Sequence, residues 1–265
     1  MEFQDVLYRK RNGRATITIN RPSKRNALRF QTVRELLQAF EEAESDPDIN
    51  VVVLTGAGDE AFCAGGDLQD VGALTVGDAS IFFHIFMKML VTLRSMPKPV
   101  IAAINGHCIG GGHELNLVCD LAIASEDASF CDGTSRVGST GIMGPAQLLP
   151  MLIGDRRARE VIFLSRTYTA YDAERMGWVN RVVKKEDLMP EVDAWCDELL
   201  QKGPQSIAIA KTYCNSTSGW MWASLAEASR AMSLITASPE WREGMQAFME
   251  KRPPDFGKLA SQVRL

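Results

Sequence analysis

Gly110-Gly111-Gly112-His113-Glu114 is the stretch whose residue types and spacing most directly permit chemistry. Consecutive glycines leave the main chain bare, so a ligand can approach its N–H groups. An apolar run over residues 100–104 precedes them and a helix-compatible run over 115–119 follows. That order predicts a strand, a tight turn and a helix start. A helix N-terminus offers unpaired N–H groups and a partial positive charge, and Glu114 falls in its first turn. A carboxyl group beside such donors makes an acid/base site. The competing reading is that the glycines allow close helix–strand packing and Glu114 complements the helix dipole. The stretch alone leaves both open.

The elements that must hold it follow from periodicity and punctuation. Val6-Leu7-Tyr8-Arg9 and Ala15-Thr16-Ile17-Thr18-Ile19 flank an Asn12-Gly13 turn signal, which predicts a hairpin. Helical spacing of Val33, Leu36, Leu37 and Phe40 predicts a helix over 30–44. Residues 51–55 and 100–104 are continuous apolar runs, each expected as a fully buried strand. After a short extended piece, Ala61-Phe62-Cys63, comes a second glycine turn, Ala64-Gly65-Gly66-Asp67-Leu68. An apolar helix is expected over 79–93, with His84 a structural residue inside it. Strands are expected over 121–124 and 179–183, and the Ser/Gly/Thr-rich stretch 125–144 reads as loop. Helices are expected over 146–153, 156–165 and 170–176, then over 187–202, 205–217, 222–237 and 239–250, with a basic, proline-containing tail. Strand–helix alternation followed by helices alone implies an α/β core with a helical C-terminal part.

Bulk properties exclude several classes. The 265 residues are 46% hydrophobic and 23% charged, ordinary for a globular chain that buries a sizeable core. Net charge is −4, so nothing points to nucleic acid or an anionic membrane. No apolar run approaches the ~18–20 residues of a membrane span, and the acidic, polar start is unlike a secretory signal. Six scattered cysteines without a CxxC pair, and only three histidines, argue against a disulfide framework and a metal site. A cytoplasmic, reduced protein without cofactor or metal is expected.

Two glycine turns after buried strands, together with Asn20-Arg21-Pro22-Ser23-Lys24-Arg25-Asn26-Ala27-Leu28, closely resemble the crotonase (enoyl-CoA hydratase/isomerase) superfamily. The resemblance continues through Cys119-Asp120-Leu121-Ala122-Ile123-Ala124, Ala173-Glu174-Arg175-Met176-Gly177-Trp178-Val179-Asn180 and Lys251-Arg252-Pro253-Pro254-Asp255-Phe256. It implies a crotonase-like spiral of ββα repeats. An acyl-CoA-binding core would occupy residues 1–200, and a helical oligomerisation region 201–265 would build a homotrimer or a hexamer of paired trimers. By the same resemblance, the backbone N–H groups of Ala64 and Gly111 form the oxyanion hole for a thioester carbonyl. Lys24, Arg25, Ala27, Leu28, Gly65, Asp67 and Leu68 would bind the CoA portion, with Lys251 and Phe256 reaching it from the C-terminus. Coenzyme A enters as part of the substrate.

The family's hydratases use two glutamates. Glu114 fills the first position, three residues after Gly111. The second lies four residues after the Phe of a Phe-Gly-Gln-Pro-Glu type motif. The matching segment is Phe130-Cys131-Asp132-Gly133-Thr134, so Thr134 stands there. A threonine cannot act as a carboxylate base, although its hydroxyl can orient water. Asp132 is the nearest acid and is either a substitute or a surface aspartate. The C-terminal half also resembles the naphthoyl-CoA synthase and ring-opening hydrolase branch. Those enzymes carry an Asp shortly after a Gly-Ser pair, whereas this chain reads Gly138-Ser139-Thr140-Gly141. The leading expectation is an enoyl-CoA hydratase/dehydratase with Glu114 as general acid/base. The alternatives are carbon–carbon bond chemistry on a cyclic or β-keto acyl-CoA, and a catalytically weak acyl-CoA-binding protein.

Overall fold

Asn12-Gly13 closes a two-residue hairpin between β1 (Val6–Arg11) and β2 (Arg14–Ile19), in a computed structural model that describes residues 3–216, 218–219 and 221–259. Arg11 pairs with Arg14 across that turn. The expectations for residues 1–2, 217 and the last six residues of the basic tail lie outside the described residues. Helix α1 (Phe30–Ser45) buries Val33, Leu36, Leu37 and Phe40, the face its spacing predicted.

From there the chain repeats one unit. A strand enters a larger sheet, a short strand enters a smaller sheet, and a helix returns. In the first unit these are β3 (Val51–Gly56), β4 (Ala61–Cys63) and the helices α2 (Leu68–Val71) and α3 (Val76–Ser95). The second is β5 (Val100–Ile104), β6 (His107–Ile109) and α4 (Gly111–Val118). The third is β7 (Leu121–Ser125), β8 (Ser129–Cys131), a 3-10 turn at Thr134–Val137 and α5 (Pro145–Ile153). Then come α6 (Asp155–Leu164), β9 (Tyr168–Thr169), α7 (Ala170–Met176), β10 (Arg181–Val183) and α8 (Leu188–Leu200). The larger sheet runs β1-β2-β3-β5-β7-β10, parallel except for the first hairpin. The smaller runs β4-β6-β8-β9, parallel except at β9. All residues of β3 and β5 are buried, as continuous apolar runs between two covered faces require. The expected spiral of ββα repeats is therefore present.

The stretch 125–144, read as loop, contains β8 and the 3-10 turn. Three residues are too short to show a period, and β8 exists because it pairs in parallel with β6. Strand β10 starts later than expected because Asn180 is a brace: its Oδ1 accepts the N–H of Ala122 at 2.8 Å.

Helices α9 (Pro204–Ser216), α10 (Met221–Ile235) and α11 (Pro239–Met249) complete the chain. Lys211 of α9 is buried and donates to Asp120 Oδ2 at 2.7 Å and to the Lys98 carbonyl at 2.9 Å. Asp120 also accepts the N–H of Val100 at 2.8 Å, so one carboxylate ties a C-terminal helix to the start of β5. Helix α10 packs along α3 and α11 against the 3-10 turn. With 20 residues and mean hydropathy 1.5, α3 is long and apolar enough to cross a membrane, unlike the expectation that no run approaches that length. Here Phe82, Phe83, Phe86, Met89, Leu90 and Leu93 form its buried side and His84 its exposed one.

Candidate acyl-CoA site

Gly110 takes φ 51° and ψ −116°, a combination closed to residues with a side chain, and turns the chain from β6 into α4. Its N–H donates to the Cys131 carbonyl at 3.1 Å, tying this turn to the end of β8. Glu114 N–H makes the first bond of the helix, to the Gly110 carbonyl at 2.9 Å. The N–H of Gly111 has no acceptor among the described residues and lies at the helix start, where donors are free.

The second glycine turn lies directly against the first. A Cβ on Gly65 would meet the Gly111 nitrogen at 3.4 Å. A Cβ on Gly112 would overlap the Cys63 carbonyl and lie within 2.9 Å of its carbon. Backbone on backbone cannot be relieved by rotating a side chain. Gly112→Ala should therefore cost roughly 1–3 kcal/mol by overpacking, more than the ~1 kcal/mol that alanine gains over glycine in a helix. A lowered melting temperature, with turnover reduced because the two turns are pushed apart, is the expected outcome.

The donors differ from the sequence expectation in one respect. Ala64 N–H, expected in the oxyanion hole, donates to the Arg25 carbonyl at 3.0 Å. It is committed to bracing the loop at 24–28. The neighbouring backbone pairs Leu28 with Gly66: Leu28 N–H donates to Gly65 O at 2.7 Å, and Asp67 N–H donates to Leu28 O at 2.8 Å. This leaves the N–H of Gly66 without an acceptor among the described residues. Gly66 and Gly111 both line one cavity and each brings it an N–H without an acceptor; the N–H of Gly65, which also lines it, has none either among the described residues. Sequence reasoning missed Gly66, because which N–H of a glycine turn is free depends on the Leu28 bridge, set from 38 positions away in the chain.

The cavity measures about 730 Å³. Lys24, Arg25, Ala27, Leu28, Ala64, Gly65, Asp67, Leu68 and Gly111 all line it, so the expected CoA-binding positions come together on one wall. Arg21 braces that wall: its guanidinium donates to Asp67 Oδ2 at 2.9 Å and to the Ala27 carbonyl. Asn26 is buried and donates to the carbonyls of Ala57 and Ala61, at 2.9 and 2.7 Å. Arg25 pairs with Glu60 at 2.6 Å, both well exposed. The opposite wall is apolar, with Phe82, Phe83 and Phe86 of α3, Met143, Met232 of α10 and Trp241 of α11. No motif announces the last three. Lys251 and Phe256 are not among the lining residues; Arg252 and Pro254 take that place, Arg252 being held by Glu243 at 2.6 Å.

Glu114 faces this cavity, 8% exposed, and no hydrogen bond among the described residues reaches its carboxyl group. Burial, reinforced by the nearby charge of Asp132, holds it well above the ordinary carboxylate range. Asp132 is not a surface residue: it is fully buried and also lines the cavity. Burial pushes it up to about 6, against hydrogen bonds from Thr134 that favour its ionised form. Thr134 itself lines the cavity, but its hydroxyl and its N–H (at 3.2 Å) both donate to Asp132 Oδ1. His113 is fully buried next to Glu114, its ring tilted 59° to that of Trp178 with centroids 4.7 Å apart, and desolvation lowers it to about 3, so it is neutral. All six cysteines are free thiols, and no cluster of metal-binding side chains occurs among the described residues.

Residues 9–259 match the enoyl-CoA hydratase/isomerase family. An enoyl-CoA hydratase from Mycobacterium avium subsp. paratuberculosis superposes with a TM-score of 0.88 at 26% identity, covering 96% of this chain and 99% of that one. An enoyl-CoA hydratase/isomerase from Xanthobacter autotrophicus gives 0.86 at 28% identity, with both chains covered fully. An enoyl-CoA hydratase from Bacillus anthracis gives 0.79 at 30% identity, covering 95% and 98%. With two glycine turns sharing one cavity, a buried carboxyl group beside them and a match along nearly its whole length, this chain belongs to the enoyl-CoA hydratase/isomerase family.

Proposed function

We propose that the protein hydrates 2-enoyl-CoA thioesters, or dehydrates the corresponding 3-hydroxyacyl-CoAs, with Glu114 as a proton-transfer group. The observation that carries this reading is the buried, unpaired Glu114 carboxyl facing the same cavity as the unpaired N–H groups of Gly66 and Gly111. A thioester carbonyl placed between those donors gains negative charge as an enolate forms. Preorganised N–H groups stabilise that charge more than they stabilise the ground-state carbonyl. Glu114, whose burial favours its protonated form, can then deliver the proton at the α-carbon in hydration, and its ionised form recovers it in dehydration. The adenine and phosphates of CoA would lie by the loop at 24–28, with Lys24 and Arg25 supplying positive charge at the cavity mouth. CoA enters and leaves as part of the substrate, and the proposed cycle uses no separate cofactor.

A second reading, carbon–carbon bond cleavage or condensation on a cyclic acyl-CoA, draws support from the cavity wall. Phe82, Phe83, Phe86 and Trp241 suit a ring better than a flexible chain. The same donors would stabilise its enolate. Incubation with enoyl-, 3-hydroxyacyl- and cyclic 3-oxoacyl-CoAs, followed by mass spectrometry, separates the two. Gain or loss of 18 mass units (one water; about 18 Da) without a change of carbon skeleton is expected, whereas a ring-opened acid would favour the second. We further propose a trimer or paired trimers in the cytoplasm. Exposed apolar side chains at Phe163, Leu164, Ile209, Tyr213 and Leu234 support association of copies.

A further inference from the structure

We propose that Asp132 is the second proton-transfer group of this site, the base that activates water, and that Thr134 is its positioning residue. The inference rests on the hydratase reading above and supplies the partner that reading lacks.

Thr134 occupies the place of the second glutamate that the family resemblance implies, yet its hydroxyl proton is donated to Asp132 Oδ1, as is its N–H. Thr134 therefore cannot orient a water by donation while it holds the aspartate. Asp132 Oδ2, by contrast, has no hydrogen-bond partner among the described residues, although it is buried. An unpaired carboxylate oxygen in the interior is costly, and here it is built in. Gly141 makes room for it, because any Cβ there would overlap Oδ2 and lie 3.0 Å from Cγ. No cation among the described residues pairs with it. His113 Nδ1 lies 3.9 Å from Oδ2, too far to bond, and the ring is neutral. Arg136, one turn on, donates to the Ser165 carbonyl instead. The titratable groups around Asp132 are thus Glu114 and His113 on α4 and Cys131 beside it on β8.

Two carboxyl groups on one cavity with unequal surroundings divide the work. Glu114 has no donor among the described residues to favour its ionised form and burial raises it, while Asp132 accepts two hydrogen bonds that favour its carboxylate. Those unequal surroundings make Glu114 the group that gives a proton and Asp132 the group that takes one. In hydration, water gives a proton to Asp132 as its oxygen bonds to the β-carbon. The C=C electron pair moves through the thioester and takes the Glu114 proton at the α-carbon. One water is added, the proton has moved from Glu114 to Asp132, and its return resets the pair.

The test uses the full-length protein and two reactions. Hydration of crotonyl-CoA or cinnamoyl-CoA, whichever the wild type turns over faster, needs both groups. Exchange of the α-hydrogens of butyryl-CoA in D2O, read by mass spectrometry at a pH high enough to ionise the raised Glu114 carboxyl, needs only the oxyanion donors and Glu114. Asp132→Asn keeps an oxygen to accept from Thr134 and leaves no titrating group. It is expected to lose about 100-fold or more in hydration and to keep exchange within a few-fold. Glu114→Gln is expected to lose both. Thr134→Val, nearly isosteric, should move the acidic limb of the hydration pH profile upward from about 6, because the bond it removes favours the carboxylate. Asp132→Asn with hydration intact overturns the proposal, as does a folded Asp132→Asn that loses exchange equally, or an unmoved limb in Thr134→Val. A wild type that exchanges but hydrates nothing overturns the hydratase reading itself and the proposal with it. The wild-type outcome thus distinguishes that failure from the others.

Discussion

Glu114→Gln should lower turnover of a 2-enoyl thioester by about 10²–10⁴-fold, the usual contribution of one general acid/base group. The substitution keeps the shape and the polar atoms but leaves no proton to deliver at the α-carbon. Affinity for a saturated acyl-CoA should change little, since the donors of Gly66 and Gly111 are backbone groups. The same variant carries a stability signature that ties it to the buried site. Burial, with Asp132 nearby, raises the Glu114 carboxyl in the folded protein. The folded state then binds a proton more tightly than the unfolded chain does. Wild-type stability from this group is complete at low pH and is lost as pH rises through the raised value. Glutamine has no such dependence. Melting curves at pH 5 and pH 8 (roughly either side of the ordinary active range) should show the variant gaining on the wild type as pH rises. Turnover that survives the substitution, or a stability difference that shrinks with pH, would remove Glu114 from its assigned role.

What the sequence disclosed and what it hid divide along physical lines. Buried strands such as β3 and β5 are continuous apolar runs, and the glycine turns punctuate them, so the scaffold and the first carboxyl group were legible. Asp120 and Asn180, which looked like motif residues, serve as braces for main-chain groups, one of them also receiving Lys211. The fine structure of the site was not legible, because it depends on long-range pairing. Neither the commitment of Ala64 N–H to Arg25 nor the release of Gly66 N–H leaves a trace in residue type. Asp132 could be a surface residue by sequence alone; three residues of β8 pairing with β6 carry it inward. The segments that surprised are those where tertiary contacts, and not local preference, set the backbone.

The second large effect belongs to the donor pair. Replacing the Gly66 amide by an ester, through semisynthesis with glycolic acid at that position, removes one N–H and no side chain. Loss of one oxyanion donor typically costs about 2.7–4 kcal/mol of transition-state stabilisation, or about 10²–10³ in kcat. That loss is expected here with KM for the acyl-CoA little altered, since the donor matters most when the oxygen carries charge. The change adds no atom at Cα and leaves the Leu28 bridge intact, because that bridge uses the Gly65 carbonyl and the Asp67 N–H. The matching ester at Ala64, made with lactic acid, is the control. Its N–H holds the Arg25 carbonyl at 3.0 Å, so its removal should cost about 0.5–1.5 kcal/mol of stability and weaken the CoA-loop brace. Its kcat should fall far less than that of the Gly66 ester. The reverse ranking would return the oxyanion role to Ala64 and require the Arg25 contact to open when substrate binds. The contrast between two N–H groups two positions apart, one engaged and one free, thus tests which part of the glycine turn would meet a thioester.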